Sequence, residues 1–153
     1  MFGTCGSSKW REMFINRYKM NSINFFNPQK NDWAPEDAVN EAEHLVNDDV
    51  ILFPVTNETF GTGSLAETGY SILSAIRSND QRFVIIFIDP YLNPLLSHTA
   101  AKESSRARAI VLAHLKKLNH PNVFIVDSLG AMLDLSVKLY RVVETMKDIR
   151  ASL

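Results

Sequence analysis

Two short, almost purely apolar runs constrain this chain more than anything else in it: Val50-Ile51-Leu52-Phe53-Pro54-Val55 and Phe83-Val84-Ile85-Ile86-Phe87-Ile88. A strand with one wet face alternates apolar and polar residues, whereas a strand covered on both faces stays apolar throughout. Each run therefore belongs inside a sheet with helices on both sides, and the flanking sequence supplies those helices. Met1–Thr4 reads as a first strand and Lys9–Met20 as a helix, with Trp10, Met13, Phe14 and Arg17 at three-to-four spacing and Ser7 or Ser8 as cap. Ile23–Phe26 reads as a second strand, stopped by Asn27-Pro28, and Pro35–Asn47 as a helix with proline in its first turn. Val50–Val55 is the third strand; the loop Thr56–Gly63 leads into a helix over Ser64–Ser78. Arg82–Asp89 is the fourth strand, followed by the loop Pro90–Ser97 and a helix over Thr99–Leu118. Asn122–Asp127 and Leu129–Arg150 complete the pattern as fifth strand and last helix.

Such alternation predicts one α/β domain over residues 1–153. Right-handed crossovers make it a three-layer sandwich around a five-stranded parallel sheet, flavodoxin- or Rossmann-like, with strand order 2-1-3-4-5. At 46% hydrophobic and 22% charged, the chain can bury a substantial core. Its 16 Lys and Arg against 17 Asp and Glu leave a net charge of −1, no surplus with which to hold a nucleic-acid polymer. The apolar runs are too short to cross a bilayer, and Met1–Cys5 lacks the form of a signal peptide, so the expectation is a cytoplasmic protein without a membrane partner. Cys5 stands alone, which removes a disulfide framework and reads as a buried structural thiol. His44, His98, His114 and His120 are scattered, so no metal site is expected. Arg106, Arg108, Lys116 and Lys117 read as the solvated side of a long helix.

Sheets of this kind bind ligands at the carboxyl ends of their strands, beside the switch in strand order. The richest segment at such an end is Thr56 to Tyr70. Gly61 and Gly63 allow a tight turn and close approach of a ligand, and Ser64 can cap the following helix. Ser64-Leu65-Ala66-Glu67 also fits an ordinary capping box, which needs no chemistry. Its address at the expected switch point favours a functional carboxylate at Glu67.

The sequence resembles the nucleoside 2-deoxyribosyltransferase family, in particular its divergent 2-deoxyribosyltransferase-like branch. The resemblance rests on Gly6-Ser7-Ser8-Lys9-Trp10-Arg11, on Phe26-Asn27-Pro28 with Trp33, on Glu41 and Glu43, and on Gly63-Ser64-Leu65-Ala66-Glu67-Thr68-Gly69-Tyr70. These fall in the first half of the chain, in the family's order; the second half matches only as continuing α/β units. The resemblance implies that Glu67 is a nucleophile that attacks an anomeric carbon and forms a covalent glycosyl-enzyme. It implies no cofactor, a small nucleoside or nucleotide substrate, and a homo-oligomer whose neighbouring subunit completes the site. Many members carry an aspartate where this chain has Gly61, and another where it has Thr56 and Asn57. Glu58 and Asp89 are the carboxylates left to serve as the second acid.

Gly6, Ser7 and Ser8 can bind a phosphate or sugar hydroxyl at a helix start, or form an ordinary capped turn. Trp33 and Phe60 can stack on a base or pack at the core's edge. Asn27 can hold a ligand or form an Asx turn, Asp89 can end its strand in a turn, and Asn57, Gly63 and Ser64 complete the expected pocket. Two other functions fit the pattern. One is a nucleotide phosphoribohydrolase of the cytokinin-activating type, matched by Gly61, Gly63, Ser64 and Glu67 but not by Thr59 and Phe60. The other is a non-catalytic nucleotide-binding module.

Overall fold

Val50–Val55 (β1), Phe83–Ile88 (β2) and Val123–Val126 (β3) lie side by side, in that order, as a parallel sheet. The computed structural model describes residues 1–78, 82–90 and 92–153, and for 70–76 and 78 the backbone alone. Residue 91, in the loop expected over Pro90–Ser97, and the Tyr70 side chain that closes the matched motif lie outside the described set. β1 and β2 pair from Val50 opposite Phe83 to Val55 opposite Ile88, and β3 joins β2 from Val84 opposite Val123 to Phe87 opposite Val126. The helices are α1 (Trp10–Met20), α2 (Asp37–Asn47), α3 (Thr62–Ser78), α4 (His98–Leu118) and α5 (Leu129–Ala151). None of these is long and apolar enough to cross a membrane.

Strand side chains point alternately to the two faces, and both faces are filled. Leu52 and Ile85 pack with Trp10, Phe14 and Tyr18 of α1 and with Met132, Leu133 and Val137 of α5. Ile51, Phe53, Val55, Val84, Ile86 and Ile88 pack on the other side with Leu65 of α3 and Leu115 of α4. Burying each such side chain contributes about 1.5–3 kcal/mol relative to exposure, and this is why the two runs contain no polar position. Parallel strands need crossover helices: α3 carries the chain from β1 to β2 and α4 from β2 to β3.

The sheet of the described residues has three strands where the sequence pattern predicted five. Residues 1–4 do run along the free edge of β1: Phe2 N–H donates to Leu52 O at 3.0 Å and Thr4 N–H to Pro54 O at 2.8 Å. A parallel ladder also needs the return bonds, from residue 54 to the carbonyl of 2 and from 56 to that of 4. Pro54 has no N–H to give. The N–H of Thr56 bonds instead to Thr4 Oγ1 at 2.9 Å. Gly3 adopts φ +97°, and a Cβ there would stand 2.4 Å from Pro54 O, so only glycine fits against the proline ring. The segment Ile23–Phe26 forms no ladder either. It is tied by Met1 N to Phe26 O at 2.8 Å, and the Phe26 ring stacks on His44 at 3.8 Å and packs against Phe2 at 6.0 Å.

Candidate active site

The carboxyl ends of β1 and β2 are gathered by one side chain. Arg108 of α4 is 1% exposed, not solvated as its neighbours in sequence suggested. All five of its N–H donors are engaged. Nε donates to Ser104 Oγ at 3.2 Å, Nη1 to Val55 O at 3.0 Å and Asp89 O at 2.8 Å, and Nη2 to Thr56 O at 2.9 Å and Thr59 O at 2.8 Å. Burial lowers the guanidinium pKa, and the charge of Asp89 opposes that shift. Gly61 sits against this group at φ +67°, where a Cβ would approach Val55 Cγ1 to 2.6 Å and Arg108 Nη2 to 3.2 Å.

That turn starts α3 at Thr62, two residues before the expected start at Ser64. Gly61 N–H bonds to Thr59 Oγ1 at 3.2 Å, and Gly61 O accepts the N–H of Leu65 at 2.9 Å. Ser64 is therefore the third helical residue rather than the cap, and the capping-box geometry between Ser64 and Glu67 is not formed. The amides of Thr62, Gly63 and Ser64 precede the first helical bond, and these residues line the same hollow as Glu67, one helical turn further on.

The hollow is a cavity of about 310 Å³ between residues 2–6, Pro28, Glu41, the 59–64 turn and Glu67. Two carboxylates thus enter it from different helices, Glu41 from α2 and Glu67 from α3. Glu67 lines the cavity and is an exposed residue, yet its pKa is raised, first by partial burial of the carboxyl and then by the negative charge of Glu41. Glu41 is positioned by the indole of Trp33, whose Nε1 donates to Oε1 at 2.8 Å. The sequence reading noted Glu41 as part of a motif without placing it in the site. Asp37, Glu41, His44 and Leu45 form the less exposed face of α2, and because three of the four are polar no apolar period marks that face in the sequence.

Of the other expected site residues, Gly6, Gly63 and Ser64 line the cavity with Glu67. Ser7 is exposed beside it, and Ser8 is buried with its hydroxyl given to Glu58. Glu58 lies outside the cavity wall, bonded to Ser8 and Thr56, and Asp89 is engaged through its backbone with Val55 and Arg108. Asn27 accepts the N–H of Gln29 at 3.1 Å, an Asx turn, and Trp33 is 54% exposed on Glu41. Asn57 is exposed and its carbonyl accepts Asn93 N–H at 3.0 Å, while the carbonyl of half-buried Phe60 accepts from Ser104 Oγ at 2.6 Å. Cys5 departs from expectation. Its thiol is exposed and lines the cavity, donating to Gly3 O at 3.3 Å and accepting from Arg11 Nη2 at 3.3 Å.

Trp10 and Arg11 turn inward. Trp10 Nε1 and Arg11 Nη1 both donate to Thr4 O, at 2.8 and 2.6 Å, which fixes the first loop under the cavity. A second, larger cavity of about 520 Å³ opens at the other end of the sheet, around Tyr18, His44, Asp49 and Lys147. Several of its polar side chains are paired with one another: Tyr18 with Ser136, His44 with Asp48, and Lys147 with Asp49 and Glu144. Among the described residues no group of His, Cys, Asp and Glu is arranged to hold a metal ion. No known protein family, characterised protein or solved structure matches the chain.

Proposed function

We propose that this protein cleaves or transfers the N-glycosidic bond of 2′-deoxynucleosides or their 5′-monophosphates, with Glu67 as nucleophile. The observation that carries this reading is the pair of glutamates, Glu41 and Glu67, sharing one cavity at the carboxyl ends of the strands. Two carboxylates are what retaining glycosyl transfer uses, one to attack and one to manage the proton. Burial and the charge of Glu41 shift Glu67 toward its protonated form, and the scheme draws one proton from the pair. As the C1′–N bond breaks, its electrons go to the base and the proton follows them. The Glu67 carboxylate closes on C1′, and the resulting ester waits for an acceptor. Water or an incoming base then attacks C1′, frees the carboxylate and returns its proton to the pair. A 2-deoxy sugar suits this scheme because no electron-withdrawing hydroxyl opposes the charge developing at C1′.

The reading carries with it a cytoplasmic homo-oligomer that uses no cofactor. Chromatography of wild type, Glu67→Ala and Glu41→Gln tests it, using a panel of 2′-deoxynucleosides and 5′-monophosphates with and without free base. Base release or exchange by the wild type, abolished in Glu67→Ala and reduced at least about a hundredfold in Glu41→Gln, is the expected result. Turnover that persists in Glu67→Ala removes Glu67 from the mechanism. Saturable nucleotide binding without any turnover replaces the enzyme with a binding module.

A further inference from the structure

None of the eleven residues of α2 is buried, yet this helix carries Glu41 to the cavity. Half-buried Leu45 is its contact with the core on the α3 side of the sheet. The rest of its docking comes from bonds to neighbours rather than from a buried apolar face. Many of those neighbours lie on residues 26–34, which belong to no strand or helix. Lys30 pairs with Asp37, the Ala34 N–H donates to Asp37 Oδ2 at 3.2 Å, Trp33 holds Glu41, and the Phe26 ring stacks on His44. A loop of this kind can move with the helix it holds.

Arg82 is anchored differently. It is 5% exposed and directly precedes Phe83, the first residue of β2. Its Nη1 donates to Leu45 O at 2.9 Å and its Nη2 to Val46 O. These are two of the last four carbonyls of α2, which have no partner inside the helix. A third, His44 O, receives the N–H of Asp48 at 2.9 Å. A planar fork fits two successive carbonyls, and a cation suits the negative end of the helix dipole. Burial lowers the guanidinium pKa, and the charges of Asp49 and Asp48 oppose that shift. The buried Nε has no hydrogen-bond partner among the described residues. Burying a cation with one donor unmet costs free energy that two hydrogen bonds offset only in part. Stability alone accounts poorly for such a residue; position accounts for it. Glu41 stands one turn before Leu45 on the same face of α2, and Glu67 stands on α3, whose Leu65 packs on the same side of the sheet as Leu45. The separation of the two carboxylates therefore follows how α2 is rolled against the sheet, and the Arg82 fork ties that helix to a strand.

We propose that Arg82 is a positioning residue: its guanidinium clamps the last turn of α2 to β2 and thereby holds Glu41 in the cavity with Glu67. The inference rests on the glycosyl-transfer reading for its effect on turnover, whereas the placement of Glu41 is measured without it. The test compares wild type, Arg82→Met, Arg82→Lys and Glu41→Gln. Val137→Ala, in the core of the opposite sheet face, serves as a control for lost stability. Circular dichroism and urea unfolding establish folding and rank stability, and the Glu67 carboxyl is titrated by carbon NMR in each protein. Arg82→Met is expected to move that titration down by at least about half of the shift produced by Glu41→Gln, Arg82→Lys by less, and Val137→Ala not at all. Base release should fall at least about tenfold in kcat in Arg82→Met, with a smaller change in KM, and Arg82→Lys should recover part of it. An unmoved Glu67 titration in folded Arg82→Met, or the same shift in Val137→Ala, overturns the proposal. If Arg82→Met does not fold, a shift in Arg82→Lys supports the proposal and its absence overturns it. A moved titration with no base release by wild type supports the clamp while the glycosyl-transfer reading falls. Base release by wild type that Arg82→Met matches, at an unmoved titration, leaves that reading in place and removes Arg82 from it.

Discussion

Replacing Arg108 by methionine keeps an unbranched, largely apolar stem and removes every donor at once. Val55 O retains the N–H of Asp89 at 2.9 Å, so the loss falls on the carbonyls of Thr56, Thr59 and Asp89. At a net cost of about 1–1.5 kcal/mol for each hydrogen bond given up, the variant should lose about 3–4 kcal/mol of stability. That agrees with the usual cost of about 3–5 kcal/mol for breaking a buried charged network by removing one partner. In a domain of this size the melting temperature should fall by roughly 2–4 °C for each kcal/mol, hence by about 6–16 °C. Arg108→Lys should recover less than half of this, because a compact ammonium cannot span five acceptors set in a fork. Urea unfolding reports the change directly, followed by circular dichroism and by the fluorescence of buried Trp10 and exposed Trp33. A loss below about 1 kcal/mol in Arg108→Met would mean that the loops hold their own shape, and the account of the site given above would fail.

Gly61→Ala should cost about 2–3 kcal/mol, from a left-handed backbone and a methyl group forced against Val55, and should weaken base release as the start of α3 shifts; urea midpoints and turnover check both. The Glu67 pair has a readable pH signature. Its folded pKa lies above the unfolded value, so the group's contribution to stability is full below the unfolded pKa and is lost as pH rises through the folded one. Glu67→Gln should therefore melt higher than wild type at neutral pH and equally in acid below about pH 4. Glu41→Gln should bring the Glu67 pKa down, observed by carboxyl-carbon NMR titration; an unmoved titration would show that the two carboxylates do not sense each other.

Much of the architecture was legible because apolar runs and helical spacing carry it. β1 was read to the residue, β2 and β3 to within one at each end, and the order of these three strands follows the expected topology. What escaped was decided by single atoms. Whether Met1–Thr4 completes a strand depends on a missing N–H at Pro54, and no propensity of residues 1–4 contains that information. Arg108 was misread by residue type, although Ser104, Arg108, Val111 and Leu115 follow one another down the core-facing row of α4, and the 3.6-residue period would have placed it inside. The start of α3 moved because Gly61 O accepts the N–H of Leu65 as the first helical bond, which made Ser64 a first-turn residue. Of the two glutamates on the cavity, Glu67 was the one that sequence position could single out. Its companion Glu41 needed the docking of α2 to be known.

Pro54 also bears on how the molecule avoids its own copies. If residues 1–4 peel away, the side of β1 they cover offers the carbonyls of Leu52 and Pro54 but no N–H between them. An incoming chain can donate to that edge and receives nothing in return at its centre, which makes it a poor template for edge-to-edge growth. The proline that denies the sheet a regular fourth strand therefore also protects the sheet from intermolecular strand addition whenever its cover opens.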